Sequence, residues 1–469
     1  MKDIPSHESV KRPILFIFDD VVETQTNVRK IFHTPRKDPG NPVLRPEKPW
    51  EGNSIQPWGS LIEWDGKWRQ LYNSGHDKSG CGIHVLETND GRRWRRPNLG
   101  LHPWDGESET NTLLPPVPGK QTWFLPSLIR HPAPPDESWT YLLYAWGWGE
   151  RMGLFGHKSR DGLRFERFSE QPLLSWGCFG ARSTNDVVMA YWDCRQARFV
   201  MYATVLLPQA PADRTPWDNA PHLRRCIGRL ESQDGVTWSE PELILAPDRN
   251  EPEWQQYYGM TVSEYEGLWI GFPLYYHVRE QFMQPHIVFS RDGRSWARPT
   301  RQPFLPCGDS PDRWDYGNVL LSWDFLRMGD ELIFIYGGSP QREHTVRMEM
   351  ALGVASLRRD GFVSLAPGGA EAVEAEIVTV PLTGAPGRGV ILNTEPDWRH
   401  DSWFSVEAQK ADGSSLEGYR FEDCGHVEAD GVVCRVRWGT QTRLPADRGP
   451  LRLRIRLHRQ RLYAIRFEE

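Results

Sequence analysis

Residues 225–245, RCIGRLESQDGVTWSEPELIL, alternate apolar and polar positions up to an Asp-Gly pair and resume the alternation beyond it. A period of two places successive side chains on opposite faces of a strand. Asp-Gly between two such runs signals a hairpin, because glycine reaches positive φ without steric cost. The same arrangement recurs as ETNDGRRW at 87–94, KSRDGLRF at 158–165, FSRDGRSW at 289–296 and, more weakly, LRRDGFVSL at 357–365. The aspartates are Asp90, Asp161, Asp234, Asp292 and Asp360, at intervals of 71, 73, 58 and 68 residues. Upstream of each lies another apolar run, polar turn and apolar run, at 58–75, 126–146, 186–205, 258–277 and 317–338. Each unit therefore reads as four strands, A to D.

Four-stranded units at regular spacing, each covering its neighbour's face, predict a β-propeller. The chain is expected to be all-β, a five-bladed β-propeller over 1–370 followed by a linker at 371–389 and a β-sandwich at 390–469. The strand PILFIFDD (13–20) is expected to close the last blade. The five Asp-Gly pairs read as C–D turns in which the aspartate caps its own backbone. In the last segment LRLRIRLHRQRLYAIRF again alternates with period two, so Arg452, Arg454, Arg456 and Arg459 fall on one solvated face rather than forming a nucleic-acid stripe.

Composition narrows the function classes. There are 56 basic and 62 acidic side chains, a formal net charge of −6, which supplies no general pull toward nucleic acid or anionic membrane. No apolar run approaches the roughly 20 residues of a bilayer span, and the first twenty residues lack a signal-peptide layout. The expected location is the cytoplasm, with the seven cysteines as reduced thiols, since no CxxC pair occurs. No residue spacing calls for a metal or a cofactor.

In a propeller the A–B and C–D turns share one end, whereas the long B–C loops and the starts of the A strands share the other, where binding residues concentrate. The A-strand starts are QPWGS (56–60), FLPS (124–127), STND (183–186), YYGM (257–260) and WDYGN (314–318). They supply Asp186 and Asp315 as candidate catalytic carboxylates, with Glu253 just upstream of the fourth. Candidate substrate-binding residues on the same end are Trp58, His76, Trp148, Arg151, Arg225, Tyr258, His277, Arg279, Trp314, Asn318 and His344. Trp123, Trp146 and Trp254 fall near it too. Aromatic faces stack on the C–H faces of a sugar ring, arginines and carboxylates bond hydroxyls, and paired carboxylates supply the acid and base of glycosyl transfer. The expected partner is a small carbohydrate, with no nucleic acid and no membrane.

With these units in place, the chain resembles the five-bladed glycoside hydrolases of the invertase/levanase and arabinanase kind over roughly 13–365. It is more closely similar to bacterial proteins akin to the family 32 N-terminal domain, through FDDVVE (18–23), NPVLRPEKPWEG (41–52), RRWRRPNLGL (92–101), YYGM…YEGLWIG (257–271) and RWDYGN (313–318). GYRFEDC (418–424) and VRWGTQTRL (436–444) match that group's C-terminal piece. The resemblance implies a glycosidase acting on a furanoside or small oligosaccharide, with acids on the first three A strands. Here QPWGS and FLPSLIR carry none, and only Asp186 on the third keeps a carboxylate in a comparable place. A non-catalytic carbohydrate-binding propeller, or a non-hydrolytic reaction on a sugar-like metabolite, is the alternative.

Overall fold

The computed structural model describes residues 11–75, 80–132, 134, 139–178, 183–252, 254–343, 348–368, 373–397 and 400–469. His76, Glu253 and His344 lie outside the described residues. Its regular structure is nearly all strand, and the protein divides into two compact units. One comprises Pro35–Met328 and Leu332–Ser356; the other Met1–Thr34, Gly329–Glu331 and Leu357–Glu469.

In the first unit the repeats become antiparallel sheets in chain order. The first sheet runs from Ile55–Gln56 and Leu61–Trp64 through Lys67–Ser74 and Ile83–Thr88 to Thr112–Leu114. The second comprises Gln121–Arg130, Tyr141–Gly149, Gly153–Ser159 and two short outer strands. The third is Ser183–Asp193, Arg198–Pro208, Leu223–Ser232 and Glu242–Leu245. Gln255–Tyr265 and Leu268–His277 lead the fourth, Asn318–Met328, Glu331–Ser339 and Ala351–Arg358 form the fifth, and a single parallel pair, Met283 with Asn318, joins these two into one eight-stranded sheet. The leading strands touch in a cycle. Gln121–Arg130 meets Ser183–Asp193, which meets Gln255–Tyr265, which meets Asn318–Met328, which meets Leu61–Trp64. The Trp323 N–H donates to the Gly59 carbonyl (3.2 Å), and the Ser60 N–H to that of Pro126 (3.0 Å). A pocket of about 220 Å³ is lined from all five sheets, among others by Ser60, Leu128, Met189, Ser263 and Asp324.

The Asp-Gly turns adopt one geometry in four copies. Asp234 Oδ1 accepts from the N–H groups of Val236 (2.8 Å) and Thr237 (2.7 Å) and from the Ser232 hydroxyl (2.9 Å), and Asp90, Asp161 and Asp292 cap the corresponding residues of their turns. Only the glycine takes positive φ, as at Gly235 (+74°). Each such glycine also packs on the preceding sheet: Gly235 against Tyr144, Gly293 against Tyr202, Gly162 against Trp64, and Gly91 against Leu326 and Ile333 of the fifth, closing the cycle. Asp360 departs from this pattern. It sits in the second unit, at φ +62°, and binds the Arg466 guanidinium through both oxygens.

Two expectations are corrected. The outer strand of the fifth sheet is not 13–20 but Arg36–Lys37, paired with Ala351–Arg358, and the Val43 N–H continues the pairing to the Leu352 carbonyl (2.9 Å). A two-residue strand carries no periodicity to read. Ile14–Leu15 instead pairs with Gln460–Glu468. Likewise, the span 371–389 is no plain linker, because Glu374–Thr379 is an interior strand between Val22–Thr26 and Leu451–His458. The second unit thus draws strands from the N-terminal region and from 363–379 as well as from 390–469, in two antiparallel sheets. Along Leu451–His458 the leucines and isoleucine are buried and the alternate residues are half-exposed, as the period of two requires. Arg454 and Arg456 pair with Glu376, and Arg452 with Glu23, so this face is a ladder of ion pairs.

Candidate functional site

A shared irregularity places the site. Strand pairing breaks near the start of four leading strands: between Gln56 and Leu61, between Phe124 and Ser127, between Thr184 and Val188, and between Tyr257 and Gly259. Bulges of this kind re-aim side chains and are frequent beside functional sites. Trp58, Leu125, Asp186 and Tyr258 are among the residues they release. Leu125 is held at φ +56° there, uncommon for a branched side chain.

Four of the expected residues meet. Trp58 and Tyr258 lie with ring centroids 6.2 Å apart, and the space beside Gly259 is filled by Val187 and the Trp58 indole. Asp186 sits between Asn185 and Val187 on the third strand, with Oδ1 fully buried and without a hydrogen-bond partner among the described residues. Burial raises its carboxyl to about 6, against the opposing pull of the nearby Arg225 guanidinium and of the backbone N–H groups of Asp186 and Val187. Arg225, which is 2% exposed, lies with its guanidinium carbon 5.1 Å from the Tyr258 ring centroid and 5.3 Å from that of Tyr276. Its N–H groups donate to Asp218 (2.6 Å), Gln256 Oε1 (2.9 Å) and Asn219 Oδ1 (2.8 Å). Burial also raises the Tyr258 hydroxyl, and the Asp186 charge adds to it.

Asp218, Gln256 and Tyr276 were missed from the sequence. Asp218 lies in the long segment 206–225, where nothing in the residue pattern singles one carboxylate out, and Tyr276 sits inside an apolar strand that reads as core.

The other expected residues are dispersed. Asp315 Oδ2 accepts from Lys37 Nζ (2.6 Å) and the Tyr336 hydroxyl (3.2 Å), while the Trp314 ring packs on Tyr336 and beside Gly338 and Gly353. Asn318 donates to the carbonyls of Gln341 and Glu343 (both 2.8 Å). His277 Nδ1 accepts from the Glu280 N–H (3.3 Å), and its ring stacks on Phe282. Arg279 covers Trp217, which meets Trp254 edge to face at 5.1 Å. Arg151 is exposed and donates to the Glu170 carbonyl (2.5 Å). Trp148 lines a different cleft, on the second sheet. Trp123 and Trp146, placed by the sequence near the same end, are 2% and 0% exposed and belong to the core.

No family model matches the chain, and no curated protein matches it. Solved structures similar to it include a glycoside hydrolase, with a TM-score of 0.49 at 14% identity over 69% of this chain and 92% of its own. The β-1,2-mannobiose phosphorylase from Listeria innocua, in complex with β-1,2-mannobiose, gives 0.48 at 12% identity over 71% and 97%. The α-L-arabinofuranosidase PaAbf62A from Podospora anserina, in complex with cellotriose, gives 0.44 at 13% identity over 69% and 97%.

Proposed function

We propose that the first unit is a five-bladed propeller and that its mouth, at Asp186, binds and cleaves a glycoside. The second unit is read as a β-sandwich. One observation carries the activity: a buried carboxyl with an unpartnered oxygen, raised to about 6, set among two aromatic rings and a fixed arginine. Such a group holds its proton close to neutral pH and can deliver it to a glycosidic oxygen as the C–O bond breaks. Tyr258, half-buried beside Trp58, offers a face for the sugar ring, and Arg225 supplies a fixed positive charge for the charge developing nearby. The second carboxylate is sought at Glu253, which the chain places one residue before Trp254. It would take the proton of the attacking water or attack the anomeric carbon itself.

The closure of Asp315 by Lys37 and of Asp218 by Arg225 favours a second reading, a propeller that binds sugar without turnover. Hydrolysis of a panel of aryl furanosides and pyranosides by wild type and by Asp186→Asn separates the two. Aglycone release abolished by Asp186→Asn supports the enzyme. Release that survives the substitution moves the chemistry elsewhere, and silence throughout favours the binder.

A further inference from the structure

A cleft of about 660 Å³ lies on the second sheet and shares no lining residue with the surroundings of Asp186 described above. Its walls are two tight turns and a strand end. In one turn the Trp104 and Glu107 backbones bond each other reciprocally (2.9 and 2.8 Å), with Asp105 at φ +44° and Gly106 at +89°. In the other, the Val117 N–H donates to the Gln121 carbonyl and the Gln121 N–H to that of Val117 (2.8 and 2.9 Å), between the prolines 115, 116 and 118 and the strand. Trp148, at the end of Tyr141–Gly149, forms the third side, and its ring is held beside Trp176 at 5.7 Å. Thr122 Oγ1 donates to the Trp148 carbonyl (3.3 Å).

The chemistry of the walls selects the occupant. Reciprocal turns and prolines make them rigid, so little ordering accompanies binding. Two half-buried indoles present flat apolar faces. Gln121 lines the cleft at 7% exposure. At the rim Lys120 and Asp105 offset each other in charge, which disfavours an anionic ligand such as a phosphate. The volume falls within the roughly 300–1,000 Å³ range of small-ligand sites.

We propose that this cleft is an accessory site for a neutral saccharide chain, with Trp104 and Trp148 as stacking platforms. The assignment rests on the carbohydrate reading of the mouth and extends it: the substrate is an oligosaccharide held at two places on the same unit.

The test is binding of di- to hexasaccharides cut from arabinan, inulin, xylan and mannan, measured by calorimetry on wild type, Trp104→Ala and Asp186→Asn, with thermal melting as the control for folding. At least one tetra- to hexasaccharide is expected to bind, with affinity reduced about tenfold in Trp104→Ala at an unchanged melting temperature and retained in Asp186→Asn. If Trp104→Ala fails to fold, Thr122→Val and quenching of indole fluorescence by the same sugars provide the readout. Equal affinity in wild type and the cleft variants, or no binding of any saccharide, overturns the proposal. Turnover that survives in Asp186→Asn overturns the reading of the mouth, yet leaves a Trp104-dependent affinity standing.

Discussion

Arg225 and Asp218 form an ion pair, 2.6 Å between Nη1 and Oδ2, with 3% and 0% of their side chains exposed. The pair places a fixed positive charge beside Asp186 and under the rings of Tyr258 and Tyr276. Removing one member leaves the other charged and buried, which costs about 3–5 kcal/mol, whereas replacing both by apolar groups of similar volume is often neutral. Arg225→Met is therefore expected to lose about that much in urea unfolding, and Arg225→Met with Asp218→Leu to recover most of it. A single variant as stable as wild type would show that the pair contributes nothing to the fold.

The Asp186 carboxyl ties stability to pH. Folded, it holds its proton up to about pH 6, whereas in the unfolded chain it lets go near 3.8. Between those values the native state binds more protons than the unfolded state, so the contribution to stability falls as pH rises through the window. At neutral pH the loss is at most about 3 kcal/mol. Asp186→Asn is expected to flatten this part of the stability–pH curve and to melt higher than wild type at pH 7. If Asp186 is the proton donor, kcat/KM declines above pH 6 in wild type. The same decline in Asp186→Asn would exclude that role.

Asp315 was expected from the sequence as a second catalytic acid, but its Oδ2 is taken by Lys37 and Tyr336 and its Oδ1 lies against the Gly308 backbone. Lys37 also belongs to the strand that completes the fifth sheet. Asp315→Asn is expected to cost about 2–3 kcal/mol, less than a fully buried pair because 28% of the Lys37 side chain reaches water. Turnover per folded molecule is expected to persist. Lost turnover with an unchanged melting temperature would restore Asp315 as an acid.

The Tyr144 hydroxyl donates to the Gly235 carbonyl (2.7 Å), and Tyr202 to that of Gly293 (2.8 Å), so each turn is clasped by the preceding sheet. A Cβ at Gly235 would meet the Tyr144 oxygen at 2.6 Å on a backbone already at φ +74°. Gly235→Ala is expected to destabilise by roughly 2–3 kcal/mol, read as a lower denaturation midpoint. The turns were legible in the sequence because Asp-Gly is a local signal, with carboxylate and capped N–H groups two and three residues apart. The bulges at Trp58, Leu125, Asp186 and Tyr258 were not, because which residue a strand skips is decided by its partner. For the same reason the address of Asp186 was readable while its neighbour Asp218 was not. Arg36–Lys37 escaped for want of length, and Asp360 does stand in a turn, but one that joins strands of two different sheets and pairs the carboxylate with Arg466.

Trp254 stands at φ +70°, a conformation that costs a bulky residue about 1–2 kcal/mol. What holds it there is the Val278 N–H donating to its carbonyl (3.0 Å) and the edge-to-face contact with Trp217, which is 49% exposed. Such a pair contributes about 0.5–1.5 kcal/mol beyond its buried area. Trp254→Gly removes both the strain and the contact, so the two nearly cancel and stability is expected to change by less than about 1 kcal/mol. Binding does not cancel. Trp217 precedes Asp218 in the chain, and Trp254 precedes the strand that carries Tyr258. Sugar affinity is expected to fall about tenfold in Trp254→Gly, measured by calorimetry beside thermal melting. A variant that loses stability and keeps affinity would make the strained tryptophan a packing residue.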